Sequence, residues 1–228
     1  MSMKRAPCFI TGTGTSVGKT LLTALFARYL RQNGLRVAAL KPVCSGNRAD
    51  ARALRDALAG ELTLADINPW HYRAPIAPAL AARQENQRLR LTQIVAHTRR
   101  WQSRFDWLLI EGAGGLLSPL GEQVDSRDFI VALRARPIIV GTNGLGVVNN
   151  VRLTLAALPP AIRARAVIVL MAPPKPDAAT HSNVALLAEY CAADRMITLP
   201  WLGKPIDWDK ALKNTAVRRN LARLWAII

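Results

Sequence analysis

The sequence is poor in cysteine and acidic residues and has no long apolar run. Its 228 residues include three cysteines, Cys8, Cys44 and Cys191, which are far apart and form no Cys-x-x-Cys pair. An odd number of widely spaced cysteines argues against a disulfide framework and favours a reducing compartment. We therefore expect a cytoplasmic protein without a zinc site.

Membrane and secretory segments are also missing. Glycine, proline or charged residues interrupt each apolar run well before the roughly 18 residues that a membrane-spanning helix needs. The N-terminal MSMKRAP is followed by CFITGTGTSVGKT, which is too polar and too rich in glycine for the core of a signal peptide. We expect no membrane partner.

The chain carries a strong excess of positive charge. Lys and Arg number 31 against 15 Asp and Glu, which gives a net charge of +16, yet hydrophobic residues make up 50% of the sequence. Disordered chains combine high net charge with few apolar residues, so we expect a globular protein, with residues 1–228 as a single domain. The charge permits binding to nucleic acid or another anion. The arginines are scattered, however, which favours a solvated surface over a nucleic-acid partner.

Short apolar runs alternate with helical patterns along the chain. The pattern predicts strands at 7–11, 37–40, 107–111, 137–141 and 166–170. It predicts helices at about 20–33, 49–59, 91–101, 150–158 and 207–228, and a proline-punctuated connection at 67–78. Strands that alternate with helices are typical of a doubly wound α/β fold with a mostly parallel sheet.

The loop between the first strand and the first helix has the composition of a phosphate-binding P-loop. Its sequence, GTGTSVGKT, covers residues 12–20. Glycines let backbone N–H groups turn toward phosphate oxygens, Lys19 would reach the β- and γ-phosphates, and the Thr20 hydroxyl would bind Mg²⁺. Five residues separate Gly12 from Gly18, one more than in the general pattern, and an ordinary turn with a chance Gly-Lys-Thr is the alternative. We predict a P-loop NTPase-like fold whose nucleotide-binding residues include Gly14, Thr15, Ser16, Val17, Gly18, Lys19 and Thr20.

Two carboxylates and a lysine follow predicted strands. Asp50 follows the second strand and Glu111 ends the third, so both are expected at the carboxyl edge of the sheet, where the P-loop lies. With Thr20 they could hold one Mg²⁺. Alternatively, Asp50 caps a helix and Glu111 caps a turn. Lys41 ends the second strand and could stabilise charge during phosphoryl transfer, unless it is a surface lysine, and Ser45 in the same loop could contact substrate.

These segments resemble the dethiobiotin synthetase family. The resemblance rests on residues 11–20, on KPVCSG at 41–46 and on EGAGG at 111–115 followed by SPL at 118–120. It continues in Asn68-Pro69, in Gly144-Leu145-Gly146 with Asn149, and in LPWL at 199–202, and so spans the chain in order. It implies a ligase that converts 7,8-diaminononanoate and CO₂ to dethiobiotin in biotin biosynthesis, through a carbamate and a carbamic-phosphate intermediate. It also implies that ATP is a substrate, that Mg²⁺ is the metal, and that the enzyme is a homodimer with a shared active site.

The resemblance also implies roles for individual residues. Lys19, Lys41 and Thr15 would be catalytic. The metal ligands would be Thr20, Asp50 and Glu111. The nucleotide would also meet Pro200, Trp201 and Leu202. The substrate would contact Thr15, Lys41 and Ser45, and its carboxylate would reach Gly144, Leu145, Gly146 and Asn149 of the partner subunit.

Several positions depart from the family pattern, and they leave alternatives open. Gly14 and Ser16 stand where relatives usually carry an acid, Asn150 stands where histidine is common, and residues 170–174 lack the Asn-Asp pair that reads adenine. The nucleotide or the substrate could therefore have changed. A P-loop switch ATPase of the partitioning or positioning type would suit the +16 charge. Against it, the early loop positions are Thr13 and Gly14, where those proteins have a second lysine.

Overall fold

The structure, a computed structural model, describes residues 6–228. The strands are β1 (Cys8–Gly12), β2 (Val37–Leu40), β3 (Val43–Ser45), β4 (Trp70–Tyr72), β5 (Trp107–Gly115), β6 (Pro119–Gly121), β7 (Val124–Asp125), β8 (Arg136–Thr142), β9 (Val167–Met171) and β10 (Met196–Leu199). The helices are α1 (Lys19–Gln32), α2 (Ala49–Ala57), α3 (Leu64–Ile67), α4 (Pro78–Gln84), α5 (Leu91–Gln102), α6 (Ser126–Leu133), α7 (Val147–Ala156), α8 (Pro160–Arg163), α9 (Ala178–Ala188), α10 (Trp208–Lys213) and α11 (Thr215–Ile227), with a 3₁₀ turn at Ala193–Arg195. The signal-peptide argument rests partly on residues 1–5, which lie outside the described residues.

The central sheet is parallel and has the strand order β10-β9-β8-β1-β5-β2. Strand β1 lies between β8 and β5, so the loop that follows β1 leaves the middle of the sheet at its carboxyl edge. Two small sheets, β3–β4 and β6–β7, lie outside it. The predicted α/β fold with a mostly parallel sheet and flanking helices is therefore confirmed.

Apolar packing on the sheet explains why these segments form strands and helices. The strands β1, β2 and β9 are buried along their whole length, as expected for strands covered on both faces. Helix α1 places Leu22, Leu25 and Phe26 in the core. The largest cluster of buried side chains extends from Cys8 to Leu224. That residues 1–228 form one domain stays a prediction.

The structure differs from the sequence-based element boundaries in a few places. Strands β3, β6, β7 and β10 were not predicted, and the expected connection at 67–78 contains β4. The predicted terminal helix is divided into α10 and α11, because the Asn214 side chain accepts a hydrogen bond from the Val217 amide and caps a new helix. Helix α7 begins earlier than expected, after Gly146, whose φ of 88° fits glycine. No helix within residues 6–228 is long and apolar enough to cross a membrane.

Candidate active site

The P-loop between β1 and α1 has a tight backbone that needs glycine. A Cβ on Gly12 would lie 2.8 Å from both the Gly14 carbonyl oxygen and Val17 Cγ2. Gly18 has a φ of 98° and precedes the first residue of α1, and Ser16 also has a positive φ of 59°. Left-handed residues in such a loop turn successive N–H groups toward one point, which is the geometry of an anion-binding nest.

Lys19 lies inside this loop and is buried. Its Nζ donates a hydrogen bond to the Gly14 carbonyl oxygen at 2.7 Å. Burial, aided by the nearby charge of Lys41, lowers the pKa of Lys19 to about 8, although the carboxylates of Glu111 and Asp50 act in the opposite direction. The site thus disfavours the charged ammonium form, and an anion bound in the loop would stabilise that form.

Lys41, Asp50, Glu111 and Thr20 form one connected network beside the loop. Lys41 Nζ lies 2.6 Å from Asp50 Oδ2 and 2.6 Å from Glu111 Oε1. The Thr20 hydroxyl donates to the same Glu111 oxygen at 2.7 Å. Lys41 and Glu111 are almost completely buried, and Asp50 is about half exposed at 48%. The sheet therefore brings together the three predicted metal ligands and the predicted catalytic lysine.

This geometry decides between the alternative roles of these residues. Lys41 is buried, so its interpretation as a surface lysine is wrong. The residue that caps α2 is Arg48, and Asp50 is the second residue of that helix, so the helix-cap alternative for Asp50 is wrong. Glu111 bonds to Thr20 and Lys41, and strand β5 continues past it to Gly115.

The charges of the network stabilise one another. Burial lowers the pKa of Lys41, but the carboxylates of Glu111 and Asp50 outweigh burial, and the net pKa is raised above its usual value. Burial raises the pKa of Asp50, but Lys41, Thr20 and Lys19 together outweigh burial and hold that pKa below its usual range. Both groups therefore stay ionised at neutral pH.

The side-chain oxygens of Thr20, Asp50 and Glu111 are suitable ligands for Mg²⁺. Among the described residues the buried Glu111 Oε2 has no hydrogen-bond partner, and an unpaired buried polar atom is unfavourable unless a ligand binds it. Carboxylate and hydroxyl oxygens are the donors that Mg²⁺ takes, with water and phosphate oxygens completing its shell. Within residues 6–228, no three His, Cys, Asp or Glu side chains come together as a metal cage. This pair of carboxylates therefore suits a metal ion that arrives with a phosphate ligand.

A hydrogen-bonded support holds the segment that carries Lys41 and Asp50. The buried Asn68 side chain donates to the Lys41 carbonyl oxygen at 2.8 Å and accepts a hydrogen bond from the Cys44 thiol at 3.2 Å. Arg48 donates to the Asn68 side chain at 3.1 Å and to the Asn68 carbonyl at 2.7 Å. Sequence reasoning noted Asn68 only within the resemblance and missed its role as a support for this loop.

The end of β5 approaches the site through a second glycine-dependent turn. Gly114 has a φ of 68°, and a Cβ there would lie 2.3 Å from the Ser118 hydroxyl. That hydroxyl accepts a hydrogen bond from the Gly115 amide at 2.8 Å. The turn brings residues 113–119 to the mouth of the site.

Many residues of this region line one open cavity of about 830 Å³, although Glu111 is not among its walls. The predicted residues among its walls are Thr15, Ser16, Gly18, Lys19, Thr20, Lys41, Ser45 and Asp50. The Ser45 hydroxyl donates to the Ile76 carbonyl oxygen at 2.5 Å. The cavity also has walls that sequence reasoning missed, namely Asn47, Ile76, Ala77 and Lys204. No sequence pattern marks Lys204, because the loop that carries it comes close only through the fold.

Two predicted sets of residues lie outside the walls of this cavity. Pro200, Trp201 and Leu202 follow β10, and Trp201 is 40% exposed. The segment 144–149 surrounds the start of α7, where Leu145 is 91% exposed. Gly14 and Val17 belong to the P-loop but do not line this cavity. The predicted ligand contacts of these residues stay predictions.

Comparisons with known proteins agree on the family. The family model described as "AAA domain" matches residues 7–207. The ATP-dependent dethiobiotin synthetase BioD of Anaeromyxobacter dehalogenans (strain 2CP-C) is 37% identical over 198 residues, which cover 85% of this chain and 89% of that protein. The corresponding protein of Anaeromyxobacter sp. (strain Fw109-5) is 40% identical over 71% of this chain and 72% of its own length.

A solved structure shows the same fold. The structure of pNOB8 ParA bound to nonspecific DNA aligns with a TM-score of 0.57 at 12% identity, over 97% of this chain and 99% of that chain. At that identity the likeness concerns the fold alone. The extent and identity of the sequence matches show that this chain belongs to the ATP-dependent dethiobiotin synthetase family.

Proposed function

We propose that this protein is a ligase that makes dethiobiotin from 7,8-diaminononanoate, CO₂ and ATP, in biotin biosynthesis. An amine of the substrate attacks CO₂ to form an N–C bond and loses a proton, which gives a carbamate. A carbamate oxygen then attacks the γ-phosphorus of ATP, and ADP leaves. The second amine attacks the activated carbonyl carbon, a proton and phosphate leave, and the ring closes as a cyclic urea.

The observation that carries this proposal is the convergence of two buried lysines and two carboxylates on one cavity beside a P-loop. Lys19, Lys41 and Asp50 line the cavity, and Glu111 lies directly beneath it, bonded to Lys41. Phosphoryl transfer needs positioning and stabilisation of charge more than covalent help from the protein. The site supplies both functions with groups that the fold already holds in place.

We assign the residues to steps accordingly. Lys19 and the backbone amides of residues 14–20 would bind the β- and γ-phosphates. Lys41 would stabilise charge on the carbamate oxygen and the transferring phosphoryl group, because its Nζ is fixed at the cavity wall by Glu111 and Asp50. Thr15 and Ser45 line the same cavity and would bind the diamine or its carbamate.

Mg²⁺ would be held by Thr20, Asp50 and Glu111. Bound there, it would neutralise part of the negative charge of the triphosphate during phosphoryl transfer. The orphaned Glu111 oxygen supports this assignment. Lys41 bonds to both carboxylates in the ligand-free arrangement, so it would share them with the incoming cation.

We further propose a homodimer whose subunits share each active site. The segment 144–149 is outside the cavity of its own chain, and two leucines beside it are unusually exposed: Leu145 at 91% and Leu153 at 61%. Large exposed apolar side chains favour an interface. The amides at the start of α7 would then receive the substrate carboxylate from the partner's site. The proposal places the enzyme in the cytoplasm, where ATP is available and its free thiols stay reduced.

The reaction is tested by measuring ADP formation with Mg²⁺, bicarbonate and ATP, with and without 7,8-diaminononanoate. Turnover should require the diamine, and mass spectrometry should detect one cyclic urea for each ADP. A monoamine analogue that lacks the second nitrogen is the matched control, because it can form a carbamate but cannot close the ring. Equal ADP formation without any diamine would contradict the proposal. Parallel assays with the other nucleoside triphosphates would establish the base preference, since residues 172–174 are Ala-Pro-Pro.

Sharing of the active site is tested by mixing two inactive variants. Lys41→Ala removes the catalytic lysine from one chain, and Asn149→Asp places a negative charge where the partner's substrate carboxylate would bind. Mixed dimers would contain one site with both defects and one intact site, so a subunit-exchanged equal mixture should regain roughly a quarter of normal activity. The dimer proposal fails if the mixture stays inactive although exchange is demonstrated.

A further inference from the structure

A second cavity lies far from the P-loop edge and is lined by arginine. It has a volume of about 500 Å³. It lies among α7, α8, the start of β9 and the segment before β10. Its walls are Arg152, Leu155, Ala156, Arg163, Ala164, Ala166, Ile168, Tyr190, Cys191, Ala192 and Arg195. Ala166 and Ile168 are at the amino end of β9, whereas the P-loop follows a carboxyl end of the same parallel sheet. We name this site the arginine cavity.

The charge of the arginine cavity is positive and unbalanced. Arg152, Arg163 and Arg195 contribute to its walls, and no Asp or Glu does. Among residues 6–228, none of these three guanidinium groups forms an ion pair with a carboxylate. Burial raises the pKa of the Cys191 thiol more than Arg152 lowers it, so the thiol stays neutral and does not offset the charge.

One of these arginines is already held in place. The Arg152 guanidinium carbon lies 3.8 Å from the centre of the Tyr190 ring. Such stacking fixes the plane of the guanidinium group and leaves its N–H donors for a ligand. Arg163 is the last residue of α8, and Arg195 is the last residue of the 3₁₀ turn before β10. The other two arginines of the cavity therefore lie on short helical elements.

The floor of the arginine cavity is apolar. Ala166 and Ile168 are buried, and Leu155 and Ala156 add hydrocarbon groups. A small inorganic anion would satisfy the arginines but leave this floor in contact with water. A ligand with an anionic head and a hydrocarbon body would satisfy both parts, as ligand sites usually combine an apolar surface with a few polar anchors.

We propose that the arginine cavity binds an aliphatic carboxylate, with the carboxylate among the three guanidinium groups and the chain over Ala166 and Ile168. Arg matches the two oxygens of a carboxylate with two parallel N–H donors. The site is separate from the nucleotide cavity, because the two cavities share no wall residue. It therefore offers a second binding site on the protein that ATP would not occupy.

Calorimetric titration with decanoate tests this proposal on the full chain. We expect one decanoate per chain, and the same affinity with or without saturating Mg²⁺ and ATP. Arg163→Gln and Arg195→Gln should each weaken binding by about tenfold, as expected for loss of a charged hydrogen bond. Arg88→Gln is the matched control, since Arg88 is exposed and outside both cavities, and it should leave the affinity unchanged.

Two further measurements distinguish a specific binding site from nonspecific attraction to a basic surface. Ala164→Glu adds a carboxylate to the wall at an exposed position, and it should abolish decanoate binding while thermal stability is retained. Inorganic phosphate should bind far more weakly than decanoate, because it leaves the apolar floor uncovered. The proposal is overturned if decanoate does not bind, if phosphate binds as tightly, if ATP displaces decanoate, or if Arg88→Gln weakens binding as much as Arg163→Gln.

Discussion

Lys41 Nζ lies 2.6 Å from Glu111 Oε1, and both side chains are almost completely buried. Lys41 directly follows β2 and Glu111 lies within β5. These adjacent strands pair in parallel, with Leu40 opposite Ile110. The register of these two strands therefore brings Lys41 and Glu111 into contact. The other oxygen of Glu111 has no hydrogen-bond partner within residues 6–228. One carboxylate thus has one oxygen fixed by the protein and one available for a ligand.

The first prediction concerns the stability of this pair. Lys41→Met should destabilise the fold by about 3–5 kcal/mol, because a buried carboxylate loses its partner. The double variant Lys41→Met/Glu111→Gln should recover most of that loss, since it contains no unpaired buried charge. Urea unfolding of the two single variants, the double variant and the wild type measures the coupling. Additive losses in the double variant would mean that the two charges do not interact.

The second prediction concerns the metal. Glu111→Gln keeps the size of the side chain and an oxygen that accepts from Thr20, but it removes the negative charge. The Mg²⁺ concentration for half-maximal turnover should rise by about tenfold or more, since second-sphere and ligand changes commonly cost that much in metal affinity. Glu61→Gln is the control, because Glu61 pairs with Arg31 at the surface. An unchanged Mg²⁺ requirement in Glu111→Gln would remove Glu111 from the metal site.

The sequence predicted the centre of this fold better than its edges. Strands β1, β5 and β8 are apolar runs bounded by glycine or charge, and the parallel pairing of β2 with β5 places Lys41 and Glu111 at one edge. Strand β10 was missed because it is only four residues long and has an exposed Thr198 within it. Such a short run is difficult to distinguish from a loop without its neighbour β9.

Site residues could be predicted from the sequence where they lie in a motif near the carboxyl end of a strand. Motif position was enough for Lys19, Thr20 and Glu111, because a parallel sheet gathers carboxyl ends. The contacts of Asn68 and Lys204 depend on how loops fold back from distant parts of the chain, and no local spacing encodes those paths. The unpaired oxygen of Glu111 likewise becomes visible only when every neighbouring donor is placed.

The third prediction concerns the turn at the end of β5. Gly114→Ala should cost about 2–4 kcal/mol, because an L-residue at positive φ is strained and its Cβ would overlap Ser118. Gly60→Ala is a matched control: Gly60 has a φ of 75°, similar to the 68° of Gly114, but nothing lies within 4 Å of its Cβ position. It should cost only about 1–2 kcal/mol, the backbone strain alone. Equal losses in thermal or urea unfolding would show that Ser118 moves away freely.

The last prediction concerns pH and Lys19. Burial and Lys41 lower the pKa of Lys19 to about 8 in the free protein, and a bound triphosphate would raise it again. Below about pH 8 Lys19 is already protonated, so ATP affinity should not change with its titration. Above that pH it should fall, with a limiting slope of tenfold per pH unit, because binding must then take up a proton. Lys41 does not share this change, since its pKa is raised and it stays protonated.

Calorimetry at about pH 9 in buffers of different ionisation enthalpy measures this proton directly. We expect uptake approaching one proton for each ATP at about pH 9 and almost none at about pH 7. Lys19→Arg is the control, because a guanidinium group stays charged throughout this range and should abolish the uptake even if it binds ATP less tightly. Wild-type protein that takes up no proton at the higher pH would show that Lys19 is already fully charged before the phosphates arrive.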